Sequence, residues 1–356
     1  MRADMDADVR VLHWSTNPFQ RDGQTLYPLR LAERMRGVSV DFMTWRVDDA
    51  SLVERAARIG AEVLVVPDRL NRPLSYMRDA QRILMKRRYD AVHVHGSSHT
   101  MVLELLAARR AGITARIAHS HNSSGASPLM HTALMPVFDR LYTQGFACSD
   151  EAGKWMFGNR GYELAPNAVD LDAYAFDPDA RLRVRRSLEL DDAFVIGMVG
   201  SRVPAKNHDF MLRVFAEARK RRPALRLLLI GAGTEALGGE GVLGLGSRSD
   251  MAGSYAAMDA LALPSLHEGF PTVVPEGASC GLTVLLSDRI TRACALTGRI
   301  TRLPLDQDVW VEALTDLAPV DRRAAGDEAR KALAAGGYDL DRAAAQMAEY
   351  YRKISR

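Results

Sequence analysis

Two glutamates flank a tight turn in the second half of the chain. The segment runs His267-Glu268-Gly269-Phe270-Pro271-Thr272-Val273-Val274-Pro275-Glu276, so the carboxylates of Glu268 and Glu276 are eight positions apart. The apolar run Ala260–Pro264 predicts a strand that leads into the turn, and a helix is expected after it. Ligands of α/β proteins bind beyond the carboxyl ends of parallel strands. A carboxylate accepts two hydrogen bonds, which suits the vicinal hydroxyls of a ribose or a hexose.

A cationic loop follows another predicted strand. The run Phe194–Val199 ends in Gly200-Ser201-Arg202-Val203-Pro204-Ala205-Lys206-Asn207, and a helical pattern with Asn207 as its N-cap comes next. Lys206 is therefore expected at a strand's carboxyl end and beside a helix N-terminus, and both favour an anion. The loop is interpreted as a diphosphate site, with a surface lysine that binds nothing as the alternative. Thr272, which directly follows Pro271, marks a second helix N-terminus that is expected to face the same ligand.

Two glycine-containing loops are further candidates. Gly231-Ala232-Gly233-Thr234 follows the predicted strand Leu225–Ile230, but Ala236 stands where a dinucleotide-binding loop has its third glycine. A lone G-x-G is a weak dinucleotide signal, so this loop is interpreted as a strand exit that lines a nucleotide. Gly246-Ser247-Arg248-Ser249-Asp250 follows the run Val242–Leu245 and is expected to recognise the base, with Arg248 near the ring; an ordinary turn is the alternative.

Composition indicates a globular protein of about two domains. The chain has 356 residues, of which 47% are hydrophobic and 26% charged, and a formal net charge of +3, which is too small to indicate nucleic-acid binding. Positive charge is concentrated between Arg69 and Arg110, where nine Lys and Arg face three Asp and Glu. This segment is either a solvated helix face or a surface attracted to an anionic membrane.

Cysteine usage and the terminus suggest a compartment. The three cysteines, Cys148, Cys280 and Cys294, have no metal-ligand spacing and indicate a reducing environment; the first two are expected to be buried. The acidic start, Met1–Asp6, lacks the apolar core of a signal peptide, and no apolar run has the length of a membrane span. We expect a cytoplasmic protein that is at most peripheral on the inner face of the cell membrane.

Short apolar runs alternate with helical patterns along the whole chain, which predicts parallel sheets built from βαβ units. The predicted strands are Val9–His13, Val38–Trp45, Val63–Pro67, Ala91–His95, Ala115–His119, Gly145–Ser149, Phe194–Val199, Leu225–Ile230, Val242–Leu245, Ala260–Pro264 and Leu282–Leu286. So many strands in one sheet would be unusual. The prediction is an α/β protein with two doubly wound Rossmann-like domains, residues 1–165 and 166–339. A short helix is expected at Leu182–Leu188, and a last helix, 340–356, is expected to pack back onto the first domain.

A series of short motifs runs through the chain in a recognisable order. They are Tyr89-Asp90-Ala91-Val92-His93-Val94-His95-Gly96, Arg116-Ile117-Ala118-His119-Ser120-His121-Asn122-Ser123, Ala147-Cys148-Ser149-Asp150-Glu151-Ala152-Gly153-Lys154, Pro166-Asn167-Ala168-Val169-Asp170, Lys206-Asn207-His208-Asp209-Phe210 and Leu263-Pro264-Ser265-Leu266-His267-Glu268-Gly269-Phe270-Pro271. With them the chain resembles glycosyltransferase family 4, whose fold is GT-B with two domains facing each other across a cleft, and in particular enzymes of capsular and exopolysaccharide assembly. The pair Glu268 and Glu276 resembles the E-x7-E motif of retaining nucleotide-sugar transferases.

The resemblance implies a nucleotide-sugar donor on the C-terminal domain, a saccharide acceptor on the N-terminal domain, retention of anomeric configuration, and no metal or other cofactor. It implies that Lys206 neutralises the diphosphate, Glu268 binds the donor sugar, Glu276 binds the ribose and His121 is the active-site histidine. The remaining residues predicted on the donor side, from the loops described above or from the resemblance, are Gly200, Arg202, Gly231, Gly233, Arg248, Gly269, Phe270, Pro271 and Thr272. Those on the acceptor side are Gly23, His119 and Asn122.

Two positions depart from the family pattern. Ser201 stands where the family has an arginine directly after the glycine at Gly200, so either Arg202 takes that role or the diphosphate has one cation fewer. In the N-terminal loop a single Gly23 replaces paired glycines, and it is preceded by Asp22, an acid that would be unfavourable near a phosphate.

The function predicted is transfer of a sugar from a UDP-sugar to a hydroxyl of a lipid-linked saccharide in polysaccharide assembly. The hydroxyl approaches from the leaving-group face, and His121 orients the reacting sugar.

Alternatives are a GT-B transferase with a soluble acceptor (a disaccharide or a secondary-metabolite product), a nucleotide-sugar epimerase, an NAD-dependent oxidoreductase, and a non-catalytic nucleotide-sugar-binding protein. A metal-dependent GT-A enzyme would use a D-x-D motif, but Asp170-Leu171-Asp172 and Asp339-Leu340-Asp341 are better explained as loop acids and helix caps.

Overall fold

The chain folds into two compact units. The computed structural model describes residues 9–125, 127–190 and 192–355. One unit comprises the residues up to Ala168 together with those from Leu340 onward, and the other is Val169–Asp339. The boundary expected from the sequence lay between residues 165 and 166, in the same Pro- and Asp-rich stretch.

The first unit contains a parallel sheet. Among the described residues its strands are β1 (Val9–Ser15), β2 (Val38–Thr44), β3 (Val63–Val65), β4 (Ala91–Gly96), β5 (Ala115–Ser120), β6 (Gln144–Ala147) and β7 (Glu163–Leu164). Their order is β3-β2-β1-β4-β5-β6-β7, and each neighbouring pair is parallel. The chain fills one side of β1 and then crosses to β4 on the other side. The junction of β1 and β4 is therefore the switch point at which such sheets bind ligands.

Helices connect these strands. They are α1 (Gly23–Ala32), α2 (Ala50–Arg58), α3 (Pro73–Arg87), α4 (Val102–Arg110), α5 (Pro128–Phe138) and α6 (Asp150–Phe157). Several begin at side-chain caps, as where Ser149 accepts from the backbone N–H of Ala152 at the start of α6.

The second unit contains a second doubly wound sheet. Its strands are β8 (Phe194–Val199), β9 (Leu225–Ile230), β10 (Gly238–Gly239), β11 (Val242–Gly244), β12 (Ala260–Leu263), β13 (Thr283–Ser287) and β14 (Ile300–Leu303), in the order β10-β11-β9-β8-β12-β13-β14. β10 is antiparallel to β11, and the other pairs are parallel. The switch point lies between β8 and β12.

The helices of the second unit are α7 (Pro178–Ser187), α8 (His208–Arg221), α9 (Met251–Ala257), α10 (Val273–Ser279), α11 (Gln307–Thr315) and α12 (Arg322–Ala335). The apolar face of α8 carries Met211, Val214 and Phe215, which pack into the same buried cluster as Trp310 of α11 and strands β8 and β9. The helix expected at Leu182–Leu188 is α7, which begins earlier because Asp177 caps it and Pro178 suits its first turn.

The last helix, α13 (Leu340–Ile354), belongs to the first unit. Its Leu340, Ala344, Met347 and Tyr351 are buried in a cluster with residues of β1 and β5. The apolar residues recur every three or four positions, so one stripe of the helix faces this core. The C-terminal segment thus completes the core of the N-terminal unit.

The predicted burial of Cys148 and Cys280 is confirmed, and Cys294 is buried as well. Within the described residues, no helix combines the length and the apolar character that a bilayer span requires.

Candidate functional site

The cationic loop after β8 and the first glutamate of the pair meet at the switch point of the second sheet. Lys206 closes a short 3₁₀ turn, Pro204–Lys206, just before α8. Its Nζ lies 2.5 Å from Oε1 of Glu268, which also accepts from Ser265 Oγ at 2.9 Å. Both charged side chains are partly buried. Two residues predicted to contact different parts of one ligand are therefore paired with each other.

Backbone contacts hold this arrangement together. The amide of Leu266 donates to the carbonyl of Ala205 at 2.8 Å, and Asn207 Nδ2 donates to the carbonyl of Pro264 at 3.1 Å. Asn207 occupies the N-cap position of α8, as expected, but it is left-handed (φ 62°) and its side chain does not cap the helix. The side chain instead ties the loop after β8 to the loop after β12.

Glycines allow the strand-exit loops to approach closely. A Cβ at Gly231 would lie 2.3 Å from the carbonyl oxygen of Gly200, a distance that only glycine permits. Gly200 itself has a φ of +154°, and a Cβ there would be 2.9 Å from Cε of Lys206. A Cβ at Gly233 would lie 3.2 Å from Cβ of Arg202, so the structure brings these predicted donor residues together.

The loop after β11 joins the same region. The amide of Gly231 donates to the carbonyl of Gly246 at 2.9 Å, and the amide of Gly246 donates to Thr234 Oγ1 at 3.0 Å. Arg248, two residues further on, is exposed. The predicted base-recognition loop is thus attached to the predicted nucleotide loop, with its arginine in solvent.

The second glutamate is held separately. Glu276 lies on α10 and is only 4% exposed, and Tyr255 OH donates to its Oε2 at 2.8 Å. The intervening turn is fixed by Phe270, which is buried and stacks on Tyr338 with ring centroids 5.0 Å apart. Gly269 and Thr272 are partly exposed on either side of Phe270 and the buried Pro271.

One residue beside this cluster had been quoted only as part of a motif, without a role. His208 opens α8 and is 4% exposed, and within the described part of the chain neither of its ring nitrogens has a hydrogen-bond partner. Burial lowers the pKa of His208, while the backbone of Gly200 opposes the shift. A buried polar ring beside Gly200 and Lys206 is available to a ligand. Tyr255 and Ser265 had also been given no role. Tyr255 is 21 positions from Glu276, whereas Ser265 lies three positions before Glu268 and had been quoted only as part of the same motif.

In the first unit, His121 directly follows β5 at the carboxyl edge of the sheet. Its amide donates to the carbonyl of Gly96 on β4, and its ring Nε2 is hydrogen-bonded to His95 Nδ1 at 2.8 Å. Burial lowers the pKa of His121 to about 3. The ring is therefore neutral near pH 7. The neighbouring Asn122 uses its Oδ1 to accept from the amide of Ser123 at 2.9 Å.

The two other predicted acceptor-side residues differ in accessibility. His119 has no exposed surface, and its Nδ1 lies 3.2 Å from His93 Nε2, which is the setting of a structural residue. Gly23 opens α1, and a Cβ there would lie 3.5 Å from Asn167 Nδ2. The preceding Asp22 caps α1 through the amide of Thr25 and accepts from the side chains of Asn17 and Gln20, each at 3.0 Å. Its charge is thus engaged locally.

The first sheet also carries buried histidines that had been quoted only as parts of motifs or had gone unnoticed: His13, His93 and His95. A signal for them was present, because histidines at alternate positions of a predicted strand lie on the same face.

The acids of the two D-x-D segments have local structural roles. Asp170 accepts from the amide of Ala173 at 3.0 Å, and Asp341 lies 3.4 Å from Arg34.

Comparison with known proteins identifies the family. The profile described as "Glycosyltransferase Family 4" matches residues 22–173, and that described as "Glycosyl transferases group 1" matches residues 193–318. "Putative glycosyltransferase EpsF" of Bacillus subtilis (strain 168) is 30% identical over 361 residues, which cover 93% of each chain. The "UDP-Gal:alpha-D-GlcNAc-diphosphoundecaprenol alpha-1,3-galactosyltransferase" of Escherichia coli is 28% identical over 236 residues, 58% of this chain and 60% of the relative.

The fold is shared with solved structures. Anabaena Alr3699/HepE, in complex with UDP and glucose, superposes with a TM-score of 0.80 at 18% identity, covering 97% of this chain and 100% of the other. Both sheets described above are doubly wound, as the GT-B prediction requires, and that prediction is confirmed. The chain is a glycosyltransferase and belongs to glycosyltransferase family 4.

Proposed function

We propose that this glycosyltransferase moves a sugar from a UDP-sugar, with retention of anomeric configuration, to a hydroxyl of a lipid-linked saccharide in polysaccharide assembly. The observation that supports it best is the pair of Lys206 and Glu268 at the switch point of the second sheet, 2.5 Å apart. A parallel sheet binds phosphorylated ligands at this point.

The diphosphate is the leaving group, and its negative charge grows as the anomeric bond breaks. Lys206 is the cation proposed to stabilise that charge. In the free protein Glu268 already neutralises the Lys206 ammonium, so the donor diphosphate must replace Glu268 as the partner of Lys206. The released carboxylate can then accept from donor-sugar hydroxyls while Ser265 continues to hold it. Exchange of one anion for another avoids leaving a partly buried charge without a partner.

Glu276 is proposed to accept from the two ribose hydroxyls. Tyr255 occupies one of its oxygens at 2.8 Å and fixes the carboxylate's orientation before the donor arrives. Pre-positioned groups reduce the entropy cost of binding. His208 and Arg202 are proposed to share the diphosphate.

Retention follows if the acceptor hydroxyl approaches on the face from which the diphosphate leaves. The departing phosphate oxygen then accepts the hydroxyl proton, and no side chain needs to serve as the base. The neutral state of His121 suits a role in orienting the sugar. No step of this mechanism draws on a metal or other cofactor.

The choice of UDP is supported by two proteins that this chain resembles, one named for UDP-Gal and one solved with UDP and glucose. The choice of acceptor is supported by the first of these, whose name gives a diphosphoundecaprenol-linked sugar.

A surface of the first unit also supports a lipid-linked acceptor. Helix α5 has no Lys, Arg, Asp or Glu between Pro128 and Phe138, yet exposes Leu129, Met130, Met135 and Val137.

Such an apolar helix face suits the acyl boundary of a membrane. Helix α3, in the same unit, exposes Arg78, Arg82 and Lys86, which would attract anionic lipid headgroups. We therefore propose peripheral membrane contact through the first unit, where it would meet a lipid-linked acceptor.

The test is nucleotide release from a panel of UDP-sugars and GDP-mannose, with and without an undecaprenyl-diphosphate-linked sugar. Release that depends on the lipid-linked acceptor is expected for one UDP-sugar. Lys206→Ala should lower kcat about 100-fold or more. The matched control is Lys220→Ala, which removes a Lys–Glu pair of similar length (2.7 Å to Glu217) that is exposed on α8.

Equal turnover in both lysine variants would remove Lys206 from the mechanism. Conversion of the donor without any acceptor would indicate an epimerase, and transfer only to soluble acceptors would reject the lipid-linked substrate. The anomeric configuration of the product, read by proton NMR, tests retention, and an inverted product would contradict it.

A further inference from the structure

Five buried imidazoles occupy three adjacent strands of the first sheet. His13 lies on β1, His93 and His95 on β4, His119 on β5 and His121 directly after it. None is more than 7% exposed. They sit where β1 meets β4, the switch point of this sheet.

The hydrogen bonds divide these rings into two chains. In the first chain, His13 Nδ1 bonds to His95 Nε2 and His95 Nδ1 bonds to His121 Nε2, both at 2.8 Å. In the second chain, Tyr351 OH bonds to His93 Nδ1 at 2.6 Å and His93 Nε2 bonds to His119 Nδ1 at 3.2 Å. Only the first chain reaches His121.

Proton positions along the first chain are coupled. Burial lowers the pKa of His13 and His121 to about 3 and that of His95 well below its usual value, so all three rings are neutral near pH 7. A neutral imidazole has one N–H and one bare nitrogen. Each ring must therefore donate on one side and accept on the other, which leaves only two arrangements for the whole chain.

The ends of the chain distinguish the two arrangements. In one, His121 carries its proton on Nδ1, beside the Asn167 side chain, which raises the pKa of His121 against the effect of burial. Within the described residues neither His121 Nδ1 nor Asn167 Oδ1 has a hydrogen-bond partner. The other arrangement would leave both of these buried atoms as bare acceptors, whereas the first supplies a proton that Asn167 Oδ1 can accept.

The far end favours the same arrangement. His13 Nε2 has no partner among the described residues, and the gap lined by His13, His95, Gln24 and Thr25 leaves no room for a water molecule. The second arrangement would put an N–H at this dry position, and unpaired buried N–H groups are rarer than unpaired acceptors.

We propose that His13 and His95 are positioning residues: the chain His13–His95–His121 fixes His121 as the Nδ1–H tautomer, which holds Asn167 with its amide oxygen toward His121. The Asn167 NH₂ group is then turned toward Gly23 at the start of α1, where it can donate to a substrate oxygen. The role of His121 toward the substrate rests on the proposed function, whereas the tautomer of its ring does not.

The same rings do not form a metal cage. Two triplets, His13, His93 and His95 and His95, His119 and His121, each place one nitrogen per residue within 4.8 Å of the others. A zinc ion needs lone pairs that converge on one point about 2.0–2.1 Å away. In the first triplet His93 and His95 instead stack at 4.4 Å with planes 16° apart, and in the second His119 and His121 stack at 4.3 Å with planes 17° apart, so in each triplet two lone pairs lie in nearly parallel planes.

The experiment is ¹⁵N NMR of the full chain with labelled histidine and no substrate, where long-range proton–nitrogen correlations distinguish protonated from bare ring nitrogens. Each of the nine histidines is assigned by single substitution. Wild type should show His121 protonated on Nδ1. His13→Phe, which does not touch His121, removes the bias from the far end of the chain and leaves only the bond from His121 Nδ1–H to Asn167. One neutral hydrogen bond biases a population about fivefold, so the His121 signal should become a mixture of tautomers. His13→Asn, which keeps a donor for His95, should restore the single tautomer.

His93→Phe is the matched control, since it removes an equally buried imidazole from the same strand but from the other chain; the His121 tautomer should not change. An Nε2–H tautomer in wild type, no response to His13→Phe, or stoichiometric binding of added Zn²⁺ would each overturn the proposal. The wild-type spectrum decides the tautomer even if a variant fails to fold. Failure to find sugar transfer would leave the spectrum unaffected, so the two proposals fail separately.

Discussion

Acidification from pH 7 to 5.5 should strongly destabilise the first unit. Burial holds the pKa of His13, His93, His95, His119 and His121 far below the value of 6.5 for an unperturbed histidine. Below pH 6.5 the unfolded chain therefore binds protons that the folded chain does not. Stability that is fully present above pH 6.5 is lost as the pH falls from there toward 3.

The size of the effect follows from the number of rings. Over this interval each buried histidine removes about 1.3 kcal/mol from the free energy of unfolding. The five rings together remove about 6 kcal/mol, against a typical domain stability of about 5–15 kcal/mol. The window lies above the range in which most carboxylates titrate, so the histidines dominate it.

Urea unfolding followed by tryptophan fluorescence measures the change, because Trp14, Trp45 and Trp155 lie in the first unit and Trp310 lies in the second. The variant His93→Phe/His119→Phe removes two titrating rings, so its loss should shrink to about 4 kcal/mol. Proton uptake on unfolding at pH 5.5 should fall by about two in the same variant. A wild-type loss below about 2 kcal/mol, or equal losses in both proteins, would refute the reasoning.

Three substitutions in the second unit have expected outcomes. Gly231→Ala places a Cβ 2.3 Å from the carbonyl oxygen of Gly200 and should lower the melting temperature and nucleotide affinity together, whereas Gly238→Ala, which meets nothing within 4 Å, should change neither. Asp259→Asn removes the carboxylate that pairs with Arg181 at 2.6 Å and Arg185 at 3.2 Å, and should cost about 3–5 kcal/mol in urea unfolding. Tyr255→Phe deletes the 2.8 Å bond to Glu276 and should raise the Kd for UDP about fivefold by calorimetry, without loss of fold; an unchanged Kd would argue against Glu276 as the ribose ligand.

The central strands were predictable because they are buried on both faces. Phe194–Val199 and Leu225–Ile230 have the same bounds in the sequence prediction and in the structure. The strands that were missed, Glu163–Leu164, Gly238–Gly239 and Ile300–Leu303, lie at or near sheet edges and have little buried apolar surface. Their pairing depends on neighbours distant in sequence, which no local pattern reveals.

The residue types of the candidate site were also readable from the sequence, but their partners were not. Lys206 and Glu268 are 62 positions apart and meet because β8 and β12 are neighbours. Each was predicted to contact a different part of the donor, and their pairing with each other was not predicted. Tyr255 reaches Glu276 from α9 in the same way. The histidine chain had a visible trace in the alternate positions of His93 and His95, yet only the order of β1, β4 and β5 turns these residues into a network.

A crystal structure of the protein with UDP would show whether the donor diphosphate takes the place of Glu268 beside Lys206. Diphosphate oxygens are expected within hydrogen-bond distance of Lys206 Nζ, with Glu268 released from its 2.5 Å contact with that atom and the ribose hydroxyls on the Glu276 carboxylate. UDP bound elsewhere, with Lys206 still paired to Glu268, would contradict it.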